Sequence, residues 1–428
     1  MRLPVQGPSW VIMFVVLSAY AAAVKPVKLS RLGKAEEALS SLASSSFRRT
    51  GRLVLPSLAA TILSWFLCQI GAYNIGKSSD AWWISETSRN PSRSWAAAFT
   101  DLIDGIIQTW ADGENPYDQP QWTLPVLLKA SMFTYMLLLA TAQAQPSRRM
   151  LIVSGFYVYS WRCQDCKCCP ASLGEERENI KWTQGVCGWR TDTFSDLVGT
   201  NVAAGILLAE LSQHPITHRL SSHSSYGSIP PILLFLSGLY CCSFPEHHPD
   251  WSPWFFPLYE FGAKHFPAGA EISRNWNLVG AHLVIVGVVF SQHLMRALSH
   301  PIFLFLGGIS FPLYLLQGPT IRSVLSWVLF GFASPVTLEE ALEGGDVLIK
   351  SVRPIPSTWI VCVVLVFYFG FLFWVSNLWS TYVDPYFAWV TQQMEVYVFF
   401  RNREGTSVAG HHKREDGVMG LNGHVLPK

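Results

Sequence analysis

QPQWTLPVLLKASMFTYMLLLATA, Gln119 to Ala142, is the stretch on which the fold depends. Its polar, Pro-flanked start ends at Trp122, an amphipathic ring of the kind that sits at a membrane surface. From Thr123 the chain is apolar for about twenty residues, the length a helix needs to cross a bilayer core. One cation, Lys129, lies inside that run, with Ser131 two residues on. An ionisable side chain in a span is costly and by default faces a bundle interior or a watery cavity. The competing account is a lysine that snorkels its ammonium to the interface. Lys129 and Ser131 are therefore the first candidates for chemistry.

The rest of the chain follows the same pattern. Half of its 428 residues are apolar and only 14% are charged, against about a quarter in soluble domains. The expected fold is all-α: a polytopic transmembrane bundle rather than a string of soluble domains. A net charge of +2, with no basic block interleaved with aromatics, gives no footing for nucleic acid. The expected partners are the lipid bilayer and a small molecule, and the oligomeric state is left open.

Nine spans are expected, at residues 8–24, 53–72, 123–142, 151–161, 197–211, 229–244, 278–292, 301–330 and 358–378. Between the first two, Lys25, Lys28, Arg31, Lys34, Arg48, Arg49 and Arg52 face two acids, and leucines at helical spacing predict an amphipathic helix on the membrane face. Loops then alternate basic and acidic, which predicts a lumenal N-terminus and a cytosolic C-terminus. Ala21 and Ala23 offer a cleaved signal peptide as the rival for residues 1–24, but cleavage would leave seven cations on the lumenal side. In the acidic loop before Gln121, Ser94–Trp110 reads as a short interfacial helix. Pro319 predicts an interruption of the eighth span at Gln317–Gly318–Pro319. The domain is set at residues 8–400, with a polar, Cys-rich insert at 162–192 and a disordered cytosolic tail at 401–428.

Five stretches in order resemble one family: FVVLSAYAAAVKPVKL (14–29), FRRTGRLVLP (47–56), QWTLPVLLKASM (121–132), VGTNVAAGILLAEL (198–211) and GGISFPLYLLQGP (307–319). They look like the fungal branch of the membrane-bound acyltransferase-3 family, over roughly residues 10–390. The resemblance implies a multi-helix membrane enzyme that moves an acyl group, usually acetyl from acetyl-CoA as co-substrate, onto a hydroxyl. It further implies a hydrophobic acceptor such as a terpenoid or polyketide of secondary metabolism, and an endoplasmic-reticulum or other endomembrane setting. No bound cofactor is expected.

The chain departs from the family's pattern at three places. It begins at what looks like the family's second span, whereas the family usually has one more N-terminal span bearing a His thought to act as general base; an N-terminally truncated gene model would explain that difference. Leu127 stands where the family has Glu and Lys129 where Arg is common, with Ser131 kept; Gln317 replaces a usual His. Gln317 can donate a hydrogen bond but cannot act as a base near neutral pH.

Other candidates each carry a plainer account. Arg48, Arg49 and Arg52 suit the phosphates of CoA, or anchor the bundle to anionic lipid headgroups. His282 is the His well inside an apolar span and can substitute as base, or can simply be a hydrogen-bonded packing residue. Cys163, Cys166, Cys168, Cys169 and Cys187 crowd the insert, with a C-x-x-C but no second pair and no nearby His. Zinc needs four converging ligands, so no metal is expected. Tyr157–Asp165 and Thr191–Glu210 read on in family fashion when the residues between are removed, as a retained intron would allow. The rival functions are a catalytically impaired relative that binds or escorts a partner, a small-molecule transporter, and an acyltransferase of another family built on an intramembrane His.

Overall fold

A chain in lipid must satisfy its backbone hydrogen bonds within itself, and the computed structural model is correspondingly helical. It describes residues 7–162, 198–214, 229–246, 248–267, 270–341 and 347–400. The helices are α1 (Gly7–Arg31), α2 (Ala35–Gln69), short α3 (Asn74–Lys77) and α4 (Trp82–Thr87), α5 (Trp95–Ala111), α6 (Thr123–Ala140), α7 (Pro146–Arg162) and α8 (Val198–Ser212). They continue as α9 (Ile229–Cys242), α10 (Phe256–His265), α11 (Ile272–Phe290), α12 (Gln292–Leu298), α13 (Pro301–Thr320), α14 (Ser326–Phe330), α15 (Thr358–Leu378) and α16 (Asp384–Phe400). Among the described residues six helical stretches are long and apolar enough to cross a membrane; α8 and α9 are shorter apolar helices. The all-α polytopic expectation holds. The Cys-rich insert and the tail from Arg401 lie outside the described residues.

The core is built around α1, which packs on α2, α6, α8 and α11. Its inward residues are small or branched and recur every four positions, with Ala19, Ala23 and Val27 buried against Val202, Ala203, Ile206 and Ala209 of α8. Between membrane helices lipid is as apolar as leucine, so close approach of small residues supplies the attraction. Gly205 shows how close: a Cβ there would stand 2.6 Å from the Val16 carbonyl and from the Ala19 side chain. Gly238 and Gly280 make the equivalent contact between α9 and α11.

Several local expectations change. The basic segment after the first span is not a separate surface helix. Instead α1 runs to Arg31, the chain reverses at Gly33 (φ 73°), and α2 begins at Ala35 and continues unbroken for 35 residues. At about 1.5 Å per residue that is about 52 Å, well beyond a hydrocarbon core of about 30 Å. Its basic first half finds a partner in α16, where Thr391 lies against Gly51 and Glu395 pairs with Arg48. Burying the inner face of that half against another helix removes the reason for it to lie on the membrane. The loop at 245–271 contains α10, and the loop at 333–356 a hairpin of β1 (Val336–Ala341) and β2 (Val347–Val352). The helix expected at Ser94–Trp110 is present as α5, capped by Ser94.

Pro319 does not interrupt the eighth span. Helix α13 passes through Pro312 and Pro319 to Thr320, and one π-turn, Ile321–Leu325, follows before α14. Proline lacks the N–H and crowds the carbonyl one turn back, yet the helix stays α through Pro319 and widens only in the turn that follows. Hydroxyls satisfy the loosened carbonyls: Ser323 donates to the Pro319 oxygen at 2.7 Å and Ser326 to the Ile321 oxygen at 2.8 Å.

Gly205→Leu is expected to separate α1 from α8 and lower the thermal unfolding midpoint in detergent, an overpacking cost of about 1–3 kcal/mol or more. Gly155→Leu on α7, where a Cβ meets nothing within 4 Å, is the matched control and should leave the midpoint in place.

Candidate functional site

The largest concentration of buried polar groups lies at the bundle end that carries the acidic loops. Asp118, just before the QPQW turn, is fully buried and accepts from Arg322 of the π-turn at 2.7 Å. Arg322 also donates to the carbonyls of Gly318 and Thr87 at 3.2 Å each, and its guanidinium lies over the Tyr73 ring at 5.4 Å. Gln121 donates to the other Asp118 oxygen at 3.1 Å and accepts from Thr61 of α2 at 2.9 Å. Asn115 closes the network, donating to Gln121 at 3.1 Å and accepting the Tyr117 and Asp118 amides at 2.9 Å. Tyr314 of α13 adds a bond from its hydroxyl to the Pro120 carbonyl and lies 2.6 Å from the Thr123 hydroxyl. The two family-like segments around Trp122 and Pro319 are thus fastened together. A cavity of about 870 Å³ opens beside this network, lined by Trp82, Trp83, Trp122, Arg89, Asn115 and Arg322.

The candidates from the sequence are dispersed. Ser131 is buried in α6, donates to the Leu127 carbonyl at 2.7 Å and accepts from Arg49 at 2.7 Å. Arg49 also donates to Ser18 of α1, so this pair ties three helices together. Lys129 is exposed and shares an outward stripe of α6 with Met136 and Ala140, the placement a snorkelling lysine takes. Arg48 pairs with Glu395 at 2.5 Å, and Ser44 donates to the same carboxylate at 2.6 Å. Arg52 has no hydrogen bond or ion pair among the described residues and lines a separate cavity of about 340 Å³ with Pro56, Phe311 and Asp384. The three arginines therefore point to three different surroundings.

His282 of α11 sits between α7 and α8, its Nε2 3.0 Å from the Asn201 amide oxygen and its Nδ1 3.3 Å from the Tyr157 hydroxyl. An amide oxygen only accepts, so Nε2 carries the proton and Nδ1 takes the tyrosine hydrogen. Both nitrogens are thus engaged within the protein. The Gln317 side chain is half-buried and makes no hydrogen bond among the described residues. Its amide is open to donate.

With this geometry in view, comparison with known proteins is decisive on family. The acyltransferase-3 family model, described as an acyltransferase domain, matches residues 3–375. The chain belongs to the acyltransferase-3 family. A curated relative, the O-acetyltransferase PaAT-1 of Phomopsis amygdali, is 34% identical over 167 residues, 35% of this chain. The match spans 33% of that relative's length. No solved structure matches the chain.

Within this acyltransferase-3 chain the sequence left important charges unremarked. Glu210, inside α8, is 0% exposed and binds both Arg149 and Arg31, the latter at 2.5 Å. Arg149 is itself buried and donates to Ser30 at 2.9 Å, which locks the ends of α1, α7 and α8 together. Glu210 and Arg322 are ionisable residues within apolar runs, the same signal that drew notice to Lys129. Asp384, on the Arg52 cavity, was also missed, because it lies past the expected end of the ninth span.

Removing one partner of a buried pair leaves an uncompensated charge, at a cost of about 3–5 kcal/mol. Asp118→Asn and Arg322→Met should each lower the unfolding midpoint strongly in detergent, and the double variant should lose less than the sum. Additive losses would mean that the pair does not fasten α13 to the QPQW turn.

Proposed function

We propose that the protein is an integral-membrane O-acyltransferase that moves an acyl group, acetyl in the first instance, from a CoA thioester to a hydroxyl of a hydrophobic small molecule. The observation that carries this reading is the family match over residues 3–375, which takes in the helices from α1 to the greater part of α15. The O-acetyltransferase named among its relatives supports acetyl as the group and oxygen as the acceptor atom. A lipophilic acceptor is supported by the bundle itself, since such a molecule partitions into the bilayer in which the helices sit. The role belongs in the biosynthesis of secondary metabolites such as terpenoids or polyketides, on an endomembrane.

The reaction needs a group to take the acceptor's proton and donors for the anion that forms on the thioester carbonyl. His282 is poorly placed for the first task, because a substrate would have to displace Tyr157 from Nδ1. That engagement favours, as second reading, a catalytically impaired family relative that binds or escorts a partner rather than acylates.

Membranes carrying the full chain, given radiolabelled acetyl-CoA and a set of lipophilic alcohols, should release free CoA and pass label to the organic phase only when alcohol is present. Acetyl-CoA binding without transfer to any alcohol would favour the binding protein instead. His282→Gln should keep transfer within about tenfold, whereas loss of a general base costs about 10²–10⁴-fold. A loss in that larger range would return His282 to the reaction.

A further inference from the structure

The cavity of about 340 Å³ between α2, α13 and the start of α16 holds an unspent acid and an unspent base-binding partner in one place. Asp384 makes no ion pair among the described residues, and its Oδ1 is buried with only the Trp379 indole as a hydrogen-bonding neighbour. The indole N–H of Trp379, five residues earlier across the π-turn Trp379–Val383, is the donor that faces this carboxylate. Arg52 faces the same cavity with its guanidinium unengaged. A carboxylate and a guanidinium that face one cavity without an ion pair leave room for an occupant between them. The π-turn adds to this, since such single-turn insertions recur at functional sites. The volume falls within the range of about 300–1,000 Å³ usual for small-molecule sites.

The other arginines of the basic half are committed. Arg48 is held by Glu395, Arg49 by Ser131 and Ser18, and Arg31 and Arg149 by Glu210. Arg52 is thus the arginine of this half left without an ion pair among the described residues.

We propose that this cavity is where the acceptor hydroxyl is activated, with Asp384 as the catalytic base, an inference that rests on the O-acyltransferase reading above. The acceptor oxygen forms its bond to the thioester carbonyl carbon as its proton passes to the Asp384 carboxylate. Arg52 donates to the oxygen that becomes negative. Collapse of the tetrahedral species breaks the carbon–sulfur bond, and the departing thiolate takes the proton back from Asp384, leaving ester and CoA thiol with the carboxylate restored. Asp384 lies beyond residue 375, where the family match ends, at the point where the π-turn carries α15 into α16.

The test compares wild type, Asp384→Asn, Asp384→Glu and Arg52→Gln, each purified as the full chain. The readouts are acetyl transfer to the alcohol set and the thermal stabilisation produced by acetyl-CoA. Asp384→Asn should lower kcat by about 10²–10⁴-fold while acetyl-CoA still stabilises it as it does wild type. Asp384→Glu should regain part of the rate, which a merely structural role would not require. Arg52→Gln should lower kcat by about 10²–10³-fold. An active wild type with an equally active Asp384→Asn would overturn the inference and leave the O-acyltransferase reading standing. Loss of both transfer and acetyl-CoA stabilisation in Asp384→Asn, without recovery in Asp384→Glu, would also overturn it by making Asp384 structural. A wild type that transfers nothing would overturn both.

Discussion

A carboxylate and a guanidinium buried together, Asp118 and Arg322, fix where α13 sits; Arg322 of the π-turn after it lines one cavity and Phe311 of α13 lines the other. Neither charge could be left alone at that depth. Asp118 is held by the turn that opens α6, and Arg322 by the π-turn that ends α13, so the pair joins segments far apart in sequence. Gln121, Thr61 and Asn115 satisfy the remaining lone pairs and extend the clamp to α2. Below it, Ala60, Leu124 and Leu315 form an apolar layer. The polar network at one end is thus separated from the Arg52–Asp384 cavity toward the other.

That layering gives the interior charges distinct tasks. Those paired with an opposite charge tie helices: Arg322–Asp118 at the acidic end, Arg31–Glu210–Arg149 and Arg48–Glu395 at the basic end. Those without partners face open volume. A membrane protein can keep an unpaired ionisable group only where a cavity, water or a ligand stands in for the partner. The same reasoning explains why Lys129, the first cation to draw attention, sits on an outward stripe where its stem can reach an interface, and why Arg52 and Asp384 remain the pair with chemistry in reserve.

Much of the fold was legible because bilayer thickness and hydropathy set the spans directly: α1, α6, α11, α13 and α15 fall where their apolar runs are. The long α2 and the continuation of α15 into α16 were not, since both depend on each other. Residues 35–52 and 384–400 become stable projections only as a packed pair, through Gly51 against Thr391 and Arg48 against Glu395. Pro319 was over-read for a different reason: the helix runs on through it to Thr320 and only then widens into the π-turn. At the candidate site, residue types were readable but partners were not. His282, Arg48 and Arg49 look alike as free reactive groups until Tyr157, Asn201, Glu395 and Ser131 are seen beside them. Family membership was legible from five short segments, since those segments are the inward faces of helices that pack on one another.

The most direct test of the account is a structure of the full chain in lipid with a non-transferable thioether analogue of acetyl-CoA. The account predicts the acyl end of the analogue in the cavity between Arg52, Phe311 and Asp384, with its carbonyl oxygen toward Arg52. An acyl end bound instead beside Trp82, Trp83 and Trp122, next to the Asp118–Arg322 network, would contradict it and move the reaction to the opposite end of the bundle.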